Sequence, residues 1–360
     1  MVKKMVIEDL LKELIDRNGS DLHISSKLPP VIRVDGKLVR MDYPVLSSEA
    51  VENLLFPMLS NEQRRHLEQE WELDFSYGIE GMGRFRVNFY KDKGSYAAAF
   101  RTIATTAPNL EELGMPPIVV QMAEQPRGLI LVTGPTGSGK STTLAAMIDY
   151  INRTRAEHIL TIEDPVEFVH TSKLSIIHQR ELGMDTRSFA NALKSALRED
   201  PDIILVGEMR DHETISLALT AAETGHLVFG TLHTSSASQT VDRIIDVFPE
   251  GQQQQIRVQL ANSLKAVFSQ TLLPKKAPDG SKMGRVMAQE IMIVTPAISN
   301  LIRESKAAQI YSTIQTSSGA GMQTLEAALA ELYKSGKVTL EDAMSKSSKP
   351  NELKRLIQGQ

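Results

Sequence analysis

Several residue types and patterns are scarce or absent in this chain of 360 residues. It contains no cysteine and one tryptophan, and aromatic residues make up only 5% of it. Without cysteine there is no disulfide bond and no cysteine-ligated zinc, and the chain suits a reducing compartment such as the cytoplasm. No run of about 18 apolar residues occurs, so the sequence predicts no membrane-spanning helix. We also expect no signal peptide, because the first residues have no apolar core.

Net charge is small as well. The formal charge is −4 at pH 7, which argues against wholesale binding of nucleic acid. Hydrophobic residues make up 41% of the chain and charged residues 23%, a composition typical of a globular protein. A chain of 360 residues is longer than one hydrophobic core usually supports, so we expect two domains.

The most informative stretch runs from Gly128 to Leu144. An apolar run from Leu129 to Val132 predicts a buried parallel strand, and good helix formers follow from Thr142 to about Tyr150. Between them lies a glycine-rich motif closed by Gly-Lys-Ser. Its residues, with the one that follows, are Gly134, Pro135, Thr136, Gly137, Ser138, Gly139, Lys140, Ser141 and Thr142. This strand–loop–helix order is the context that a phosphate-binding loop requires.

The chemistry of the motif follows from its residue types. Glycines let successive backbone N–H groups turn towards phosphates, and the helix N-terminus adds the positive end of its dipole. Lys140 places a cation against the β- and γ-phosphates, and the Ser141 hydroxyl can ligate Mg²⁺. We therefore predict a site for a nucleoside triphosphate.

The chain before this stretch indicates a small α+β domain over residues 1–104. Short helices, a hairpin around Asp35-Gly36 and three strands in meander order between residues 72 and 103 support that prediction. Residues 105–117, rich in threonine, proline and acidic residues, are expected to form the interdomain linker.

From residue 118 onwards the pattern changes to alternating strands and helices. Right-handed crossovers between such elements give a parallel sheet that is covered on both faces. Within residues 118–360 we expect a largely helical C-terminal region over about 251–360, with one strand-like run at 285–294.

Ligands of open parallel sheets bind at the carboxyl ends of the strands, and three further predicted strands end in polar groups. Glu163 and Glu208 are candidates for the base that activates water and for the Mg²⁺ shell, because phosphoryl transfer needs both. Gly207 stands where an aspartate is common, so Glu208 is expected to hold the metal through water. His233 and His226 are further candidates, although a histidine beside an apolar strand is often only structural. For each glutamate taken alone, the alternative to a catalytic or metal-binding role is a salt bridge on the protein surface.

Arginines of the first domain form another group. Strand alternation places Arg84 and Arg86 on one face and apolar residues on the other, and Arg101 follows on the next strand. A solvated strand face would explain them. The phosphate-binding loop brings no arginine of its own, however, and an arginine at the γ-phosphate typically raises the rate about 10³–10⁵-fold. We therefore keep them as candidate charge stabilisers.

Together the motifs resemble the superfamily of hexameric secretion and type IV pilus ATPases. The resemblance covers nearly the whole chain and rests on the phosphate-binding loop and on GSDLHIS at 19–25, RFRVN at 84–88, TIEDPVEF at 161–168, EDPDIILVGEMRD at 199–211 and residues 224–234. AISNLIRE at 297–304 is similar to the C-terminal signature of the twitching-motility retraction ATPases, which carry arginine where this chain has Ser299. The four-cysteine zinc insertion usual in the assembly ATPases is missing.

The resemblance implies an α/β fold, a RecA-like P-loop ATPase core with a smaller N-terminal PAS-like α+β domain, and ATP bound between the two. It implies that Glu163 is the general base, Glu208 the Walker B carboxylate, His226 and His233 the histidine box, and Arg84, Arg86 and Arg101 phosphate-sensing arginines. It also implies a homohexameric ring on the cytoplasmic side of the inner membrane. Such a ring would turn a membrane platform protein, so that pilin subunits leave the pilus base.

Two other classes of function stay open. A RecA-like nucleic-acid translocase shares the fold, but the charge of −4 and the lack of a basic stripe with stacking aromatics disfavour it. A nucleotide-binding regulator that does not hydrolyse ATP is disfavoured by the two strand-end glutamates. Salt-sensitive binding of single-stranded DNA would favour the first class, and a lack of phosphate release from ATP the second.

Overall fold

The computed structural model describes residues 5–34, 36–103, 106–277 and 282–359. The chain divides into two compact units, residues 1–106 with 165–169, and residues 107–164 with 170–360. Within the described ranges, none of the helices has both the length and the apolar character needed to cross a bilayer.

The N-terminal unit is built on a six-stranded antiparallel sheet. Its helices are α1 (Ile7–Asp16), α2 (Ser48–Leu55) and α3 (Asn61–Glu70), and its strands are β1 (Asp21–Ile24), β2 (Val31–Val34), β3 (Lys37–Arg40), β4 (Glu72–Ile79), β5 (Gly83–Asp92) and β6 (Ser95–Ile103). The strand order is β3-β2-β1-β6-β5-β4, which contains the predicted three-strand meander. The predicted hairpin is confirmed by the pairing of β2 with β3, although Asp35 of its turn lies outside the described residues.

Alternation along β5 separates the two faces of this sheet. Phe85, Val87 and Phe89 are buried, and Phe89 packs edge-to-face against Phe75 with ring centroids 5.2 Å apart. Successive side chains of a strand point to opposite faces, so the residues between these aromatics lie on the other face. The core of this unit therefore leaves the arginines of β5 outside it.

The second unit is a seven-stranded sheet with helices around it. Its helices are α4 (Pro117–Ala123), α5 (Lys140–Thr154), α6 (Phe189–Ala196), α7 (His212–Glu223), α8 (Ala237–Asp246), α9 (Glu250–Ser263), α10 (Pro296–Arg303), α11 (Ile310–Thr316), α12 (Leu325–Lys334), α13 (Leu340–Lys346) and α14 (Pro350–Gln358). Its strands are β7 (Gly128–Thr133), β8 (His158–Glu163), β9 (Ile176–Glu181), β10 (Ile203–Val206), β11 (Leu227–Leu232), β12 (Leu264–Lys276) and β13 (Lys282–Ile293).

Strand order in this sheet is β13-β12-β7-β11-β10-β8-β9. All neighbours from β12 to β9 are parallel, and only β12 and β13 run antiparallel. Every residue of β7, β10 and β11 is buried, as expected for parallel strands covered on both faces. The alternating pattern from residue 118 onwards is thus confirmed as an α/β sheet.

Two features of this sheet differ from the prediction. The predicted strand-like run at 285–294 corresponds to β13, but β12 was not predicted, and the two strands form a long hairpin within the largely helical region 251–360. The segment LKAVFSQTLLPKK of β12 has no clear alternation and contains good helix formers, but pairing with β7 and β13 on either side overrides that local preference. Strand β9 was not predicted either; it extends the sheet beyond β8 without a helix between the two.

Candidate active site

The phosphate-binding loop joins β7 to α5 in a conformation that its glycines permit. Gly134, Gly137 and Gly139 have φ of 144°, 78° and 88°, in the region that favours glycine. A Cβ atom on Gly134 would collide with the Gln270 backbone oxygen and lie 2.6 Å from Ser138 Oγ. Glycine is therefore required there by space as well as by backbone angle.

The cation of the motif lies over the loop. Lys140 Nζ donates to the carbonyl oxygens of Gly134 at 2.9 Å and Pro135 at 3.2 Å. Ser141 and Thr142 follow in the first turn of α5 and are half-buried. An ammonium group, a hydroxyl and a helix N-terminus converge on one glycine-rich turn, and this donor set fits a chain of phosphates.

Glu163 ends β8, and two neighbours hold its carboxylate. Its Oε1 accepts hydrogen bonds from Thr161 Oγ1 at 2.6 Å and from Gln179 Nε2 at 3.1 Å. Gln179 is itself positioned by the His170 N–H, which donates to its side-chain oxygen at 2.8 Å. Sequence reasoning missed both supports. Thr161 could have been found from its i, i+2 spacing to Glu163 on one strand face, whereas Gln179 depends on the pairing of β8 with β9.

Glu208 follows β10 and is engaged by two cationic or potentially cationic groups. Its Oε1 accepts a hydrogen bond from His233 Nε2 at 2.8 Å and contacts the Arg210 guanidinium. Burial raises the pKa of the Glu208 carboxyl, but the hydrogen bonds from Arg210 and His233 outweigh burial and bring that pKa below its usual value. Glu208 is therefore ionised at neutral pH.

The structure gives a reason for the glycine that precedes Glu208. A Cβ atom on Gly207 would lie 3.0 Å from the Ile162 carbonyl oxygen and 3.1 Å from Glu163 Cα. Such distances are tighter than nine in ten real Cβ contacts, so with an aspartate at position 207 the end of β8 would have to shift by a few tenths of an ångström. Glycine at 207 avoids this contact, and the carboxylate follows at Glu208.

Strand register places these groups at one edge of the sheet. Thr133 of β7 is opposite Leu232 of β11, and Val206 of β10 is opposite Ile162 of β8. The phosphate-binding loop, Glu163, Glu208 and His233 thus all follow the carboxyl ends of their strands, as the sequence predicted. Strands β7 and β8 are three strand spacings apart, about 14 Å, so Glu163 and the loop flank the middle of this edge.

His226 lies elsewhere. It precedes β11, whereas His233 follows it, so the two are separated by the length of the strand, about 20 Å. His226 Nδ1 lies 3.0 Å from the Ala221 carbonyl oxygen, and its own carbonyl accepts the Gly128 N–H. Within this unit the structure does not bring His226 to the phosphate-binding loop, and its contacts are those of a structural residue in a turn.

The arginines of the N-terminal unit share the outer face of its sheet. Arg101 Nε donates to Asp21 Oδ1 at 2.9 Å, and Arg84 Nη2 donates to Ser76 Oγ at 2.6 Å. Exposed Arg86 is directly opposite Arg101 across the β5–β6 pair. Like charges opposite each other on a sheet are destabilising, so this face favours an anion.

The Arg101–Asp21 pair stabilises the ionised form of the Asp21 carboxyl. Burial raises the pKa of the Asp21 carboxyl, but hydrogen bonds from Ser20 and Arg101 outweigh it, so that pKa lies below its usual value. The Arg101 side chain is 71% exposed. An exposed guanidinium with one partner keeps donors for a second anion.

Two polar residues of α10 contact the neighbouring helix α9. Ser299 is buried, and its Oγ donates to the Ala261 carbonyl oxygen of α9 at 2.8 Å. Arg303 Nη2 donates to Asn262 Oδ1, also of α9, at 2.8 Å. Ser299 is therefore part of the α9–α10 contact.

A phosphate-binding loop at the carboxyl edge of a parallel sheet, with carboxylates ending the neighbouring strands, defines a P-loop ATPase. Residues 1–345 match the family model described as "Type II/IV secretion system protein". The chain belongs to this family of type II/IV secretion system proteins.

Individual relatives agree with that assignment. The chain is 54% identical over 346 residues to the type IV pilus retraction ATPase PilT of Pseudomonas aeruginosa, covering 96% of this chain and 99% of that protein. It is 57% identical over 314 residues to a twitching motility protein of Neisseria gonorrhoeae, covering 87% and 83%. Among solved structures it resembles the pilus retraction motor PilT with bound ADP, at a TM-score of 0.90 and 50% identity over 98% and 99% of the two chains. The fold is thus a RecA-like ATPase core with a smaller N-terminal domain.

Proposed function

We propose that this chain is the ATP-hydrolysing motor of type IV pilus retraction. The main support for this proposal is the carboxyl edge of the core sheet, where the phosphate-binding loop, Glu163 and the Glu208–His233 pair follow their strands. Similarity to PilT over nearly the full length of both chains supports pilus retraction as the work that hydrolysis drives. No observation favours nucleic-acid translocation or a regulator that does not hydrolyse.

Each site residue has a role in this proposal. The loop residues 134–142 bind the phosphates of ATP, with Lys140 as the cation. Glu163 accepts the proton of the attacking water, and its hydrogen bonds from Thr161 and Gln179 aim the carboxylate and limit its rotation. His233 holds Glu208 in place at the end of β10.

Mg²⁺ belongs to the same proposal. Bound to the phosphates, it would neutralise developing charge. The Ser141 hydroxyl would hold it directly and Glu208 through water, since Mg²⁺ usually keeps several waters and few protein ligands. The lowered pKa of Glu208 keeps that carboxylate available as an anion.

The N-terminal unit supplies the second half of the proposed machinery. We assign residues 1–104 as the PAS-like domain, 105–117 as the linker and 118–360 as the ATPase core. Arg84, Arg86 and Arg101 then stabilise charge on the transferred phosphate, and the exposed row of Arg86 and Arg101 supports this. A homohexameric ring at the cytoplasmic face of the inner membrane would act on a platform protein and, through it, on pilin.

Complementation tests this function. A Pseudomonas aeruginosa strain that lacks its PilT would receive either this chain or its Lys140→Ala variant. We expect twitching to return with the natural chain only, because Lys140→Ala removes the cation of the phosphate site. In purified protein, Lys140→Ala and Ser141→Ala should release no phosphate from ATP, whereas Lys194→Ala on the exposed side of α6 should match the natural chain. Normal phosphate release by the first two variants, or no twitching with the natural chain, would contradict the proposal.

A further inference from the structure

The buried carboxamide of Gln270, on β12, contacts the phosphate-binding loop. Gln270 is 3% exposed, and its Nε2 donates to the Ser138 carbonyl oxygen at 2.9 Å. Its Oε1 accepts a hydrogen bond from Thr143 Oγ1, in the first turn of α5, at 3.0 Å. One side chain therefore connects the middle of the loop to the start of the helix that follows it.

The direction of the first bond matters for phosphate binding. The C=O of Ser138 and the N–H of Gly139 belong to the same planar trans peptide, so they point in opposite directions. Since the carbonyl points to Gln270, the Gly139 N–H points away from it, into the loop. Gln270 thereby fixes the direction of a backbone donor in the part of the motif that binds phosphate.

Further contacts hold this carboxamide in one orientation. Gln289 Nε2 of β13 donates to Gln270 Oε1 at 3.2 Å, and Gln289 is also only 3% exposed. With two hydrogen bonds to its oxygen, the Gln270 amide is fixed against a flip that would present its oxygen to the Ser138 carbonyl. Gln289 itself is reached by Gln323, whose Nε2 donates to the Gln289 carbonyl oxygen at 2.9 Å.

Backbone packing at the same place is tight. The Gln270 carbonyl oxygen occupies the space that a side chain on Gly134 would need, and its Nε2 lies 3.3 Å from where a Cβ atom on Gly139 would be. Strand β12 therefore supports the loop through backbone and side chain together. The sequence offered no hint of this, because β12 was not predicted as a strand.

We infer that Gln270 is a positioning residue of the nucleotide site, which presets the phosphate-binding loop through the Ser138 carbonyl and the Thr143 hydroxyl. The inference rests on the proposed ATP site and adds to it a residue more than a hundred positions along the chain from the motif. Gln270 acts through the loop backbone and side chains that it holds.

The test compares Gln270→Met with Gln323→Met. Methionine keeps the length of glutamine but leaves the Ser138 carbonyl and the Thr143 hydroxyl buried without their partner. We expect the dissociation constant of a fluorescent ADP analogue and the KM for ATP to rise about tenfold or more, the scale of one lost buried hydrogen bond with its desolvation. Gln323→Met removes a carboxamide that donates to the Gln289 backbone carbonyl and not to the Gln270 side chain or the loop, so nucleotide affinity should stay within about twofold of the natural chain.

Two further variants keep the test decisive. Thr143→Val removes the hydrogen bond from the Thr143 hydroxyl to Gln270 Oε1 and should also weaken ADP binding. This variant tests the inference even if Gln270→Met fails to fold. Gln270→Glu keeps the shape but cannot donate to Ser138, so it should not restore affinity. Natural affinity in Gln270→Met or Thr143→Val, or an equal loss in Gln323→Met, would overturn the inference. A natural chain that binds no ADP would instead overturn the proposed function, and the inference with it.

Discussion

Glu163 and Glu208 end neighbouring strands, yet their surroundings suit different tasks. Glu163 accepts hydrogen bonds from Thr161 and Gln179, which aim the carboxylate. Glu208 contacts Arg210 and His233, which stabilise its anionic form. A carboxylate that holds a metal must stay ionised, and the surroundings of Glu208 favour that state. The proposed function therefore keeps Glu208 for the metal and Glu163 for the base.

Glu163→Gln tests this assignment. The variant should bind ATP as the natural chain does but release phosphate at least about a hundredfold more slowly, the usual contribution of a general base. Glutamine keeps the shape and can still accept from Thr161, so the end of β8 should not move. Phosphate release and binding of an ATP analogue would be measured side by side, with Glu213→Gln on the exposed first turn of α7 as the matched control. Unchanged turnover in Glu163→Gln would mean that another group is the base.

Arg101 poses a different question, because it has a structural partner. Arg101→Ala removes both the pair with Asp21 and the proposed charge stabiliser, whereas Asp21→Asn removes the pair and leaves the guanidinium. If Arg101 stabilises phosphate charge, only Arg101→Ala should lose hydrolysis, by about a thousandfold, the lower end for such arginines. Affinity for ATP should change far less.

The thermal stability of Arg101→Ala and Asp21→Asn shows whether either change unfolds the N-terminal unit. The Arg101 side chain is largely exposed, so losing the pair should cost no more than about 1 kcal/mol. Thermal unfolding of both variants would check this. Equal losses of hydrolysis in Arg101→Ala and Asp21→Asn, or unfolding of the N-terminal unit by either, would favour the purely structural role.

At the scale of the element, α10 is the segment whose sequence resembles the retraction signature. Its apolar positions Ile298 and Ile302 are buried, and Ser299 binds the α9 backbone. Asn300 and Arg303 remain on the exposed side, with Arg303 joined to Asn262. The helix is therefore well packed on α9 and presents polar groups outwards.

Replacing Asn300 and Arg303 together by alanine tests whether α10 is needed for twitching but not for ATP hydrolysis. We expect a folded protein that hydrolyses ATP at close to the natural rate but fails to restore twitching, because the buried side of α10 is unchanged. Asn262→Ala is the matched control, since it removes the same α9–α10 hydrogen bond and leaves the outer side chains of α10 in place. Full twitching with the double variant, or an equal defect in Asn262→Ala, would mean that α10 has only a structural role in packing on α9.

At the scale of the whole molecule, the proposal requires assembly. A ring of six chains of 39.8 kDa each should appear as a single species of six times that mass in sedimentation equilibrium. Hydrolysis per chain should fall on dilution below the concentration at which the ring dissociates, because binding partners stabilise the active state by mass action. A chain that stays monomeric at every concentration and hydrolyses ATP at an undiminished rate would contradict the ring.

Local patterns in the sequence determined much of this protein. The glycine-rich motif, the polar residues at strand ends and the alternation in β5 each depend on residues close together in the chain, and the structure places the loop, Glu163, Glu208 and His233 at one edge as predicted. Such patterns suffice because parallel strands share an edge and side chains alternate along a strand. The resemblance of several motifs then indicated the family, which the family match and the relatives confirm.

Only the tertiary structure decided the features that depend on distant pairing. The residues of β12 include good helix formers, but they form a strand because β7 and β13 pair with its backbone N–H and C=O groups on either side. Gln270 reaches the phosphate-binding loop only through that pairing, and Gln179 reaches Glu163 only because β9 pairs with β8. A sequence pattern records what a residue can do, whereas the register of distant strands determines which atoms it meets.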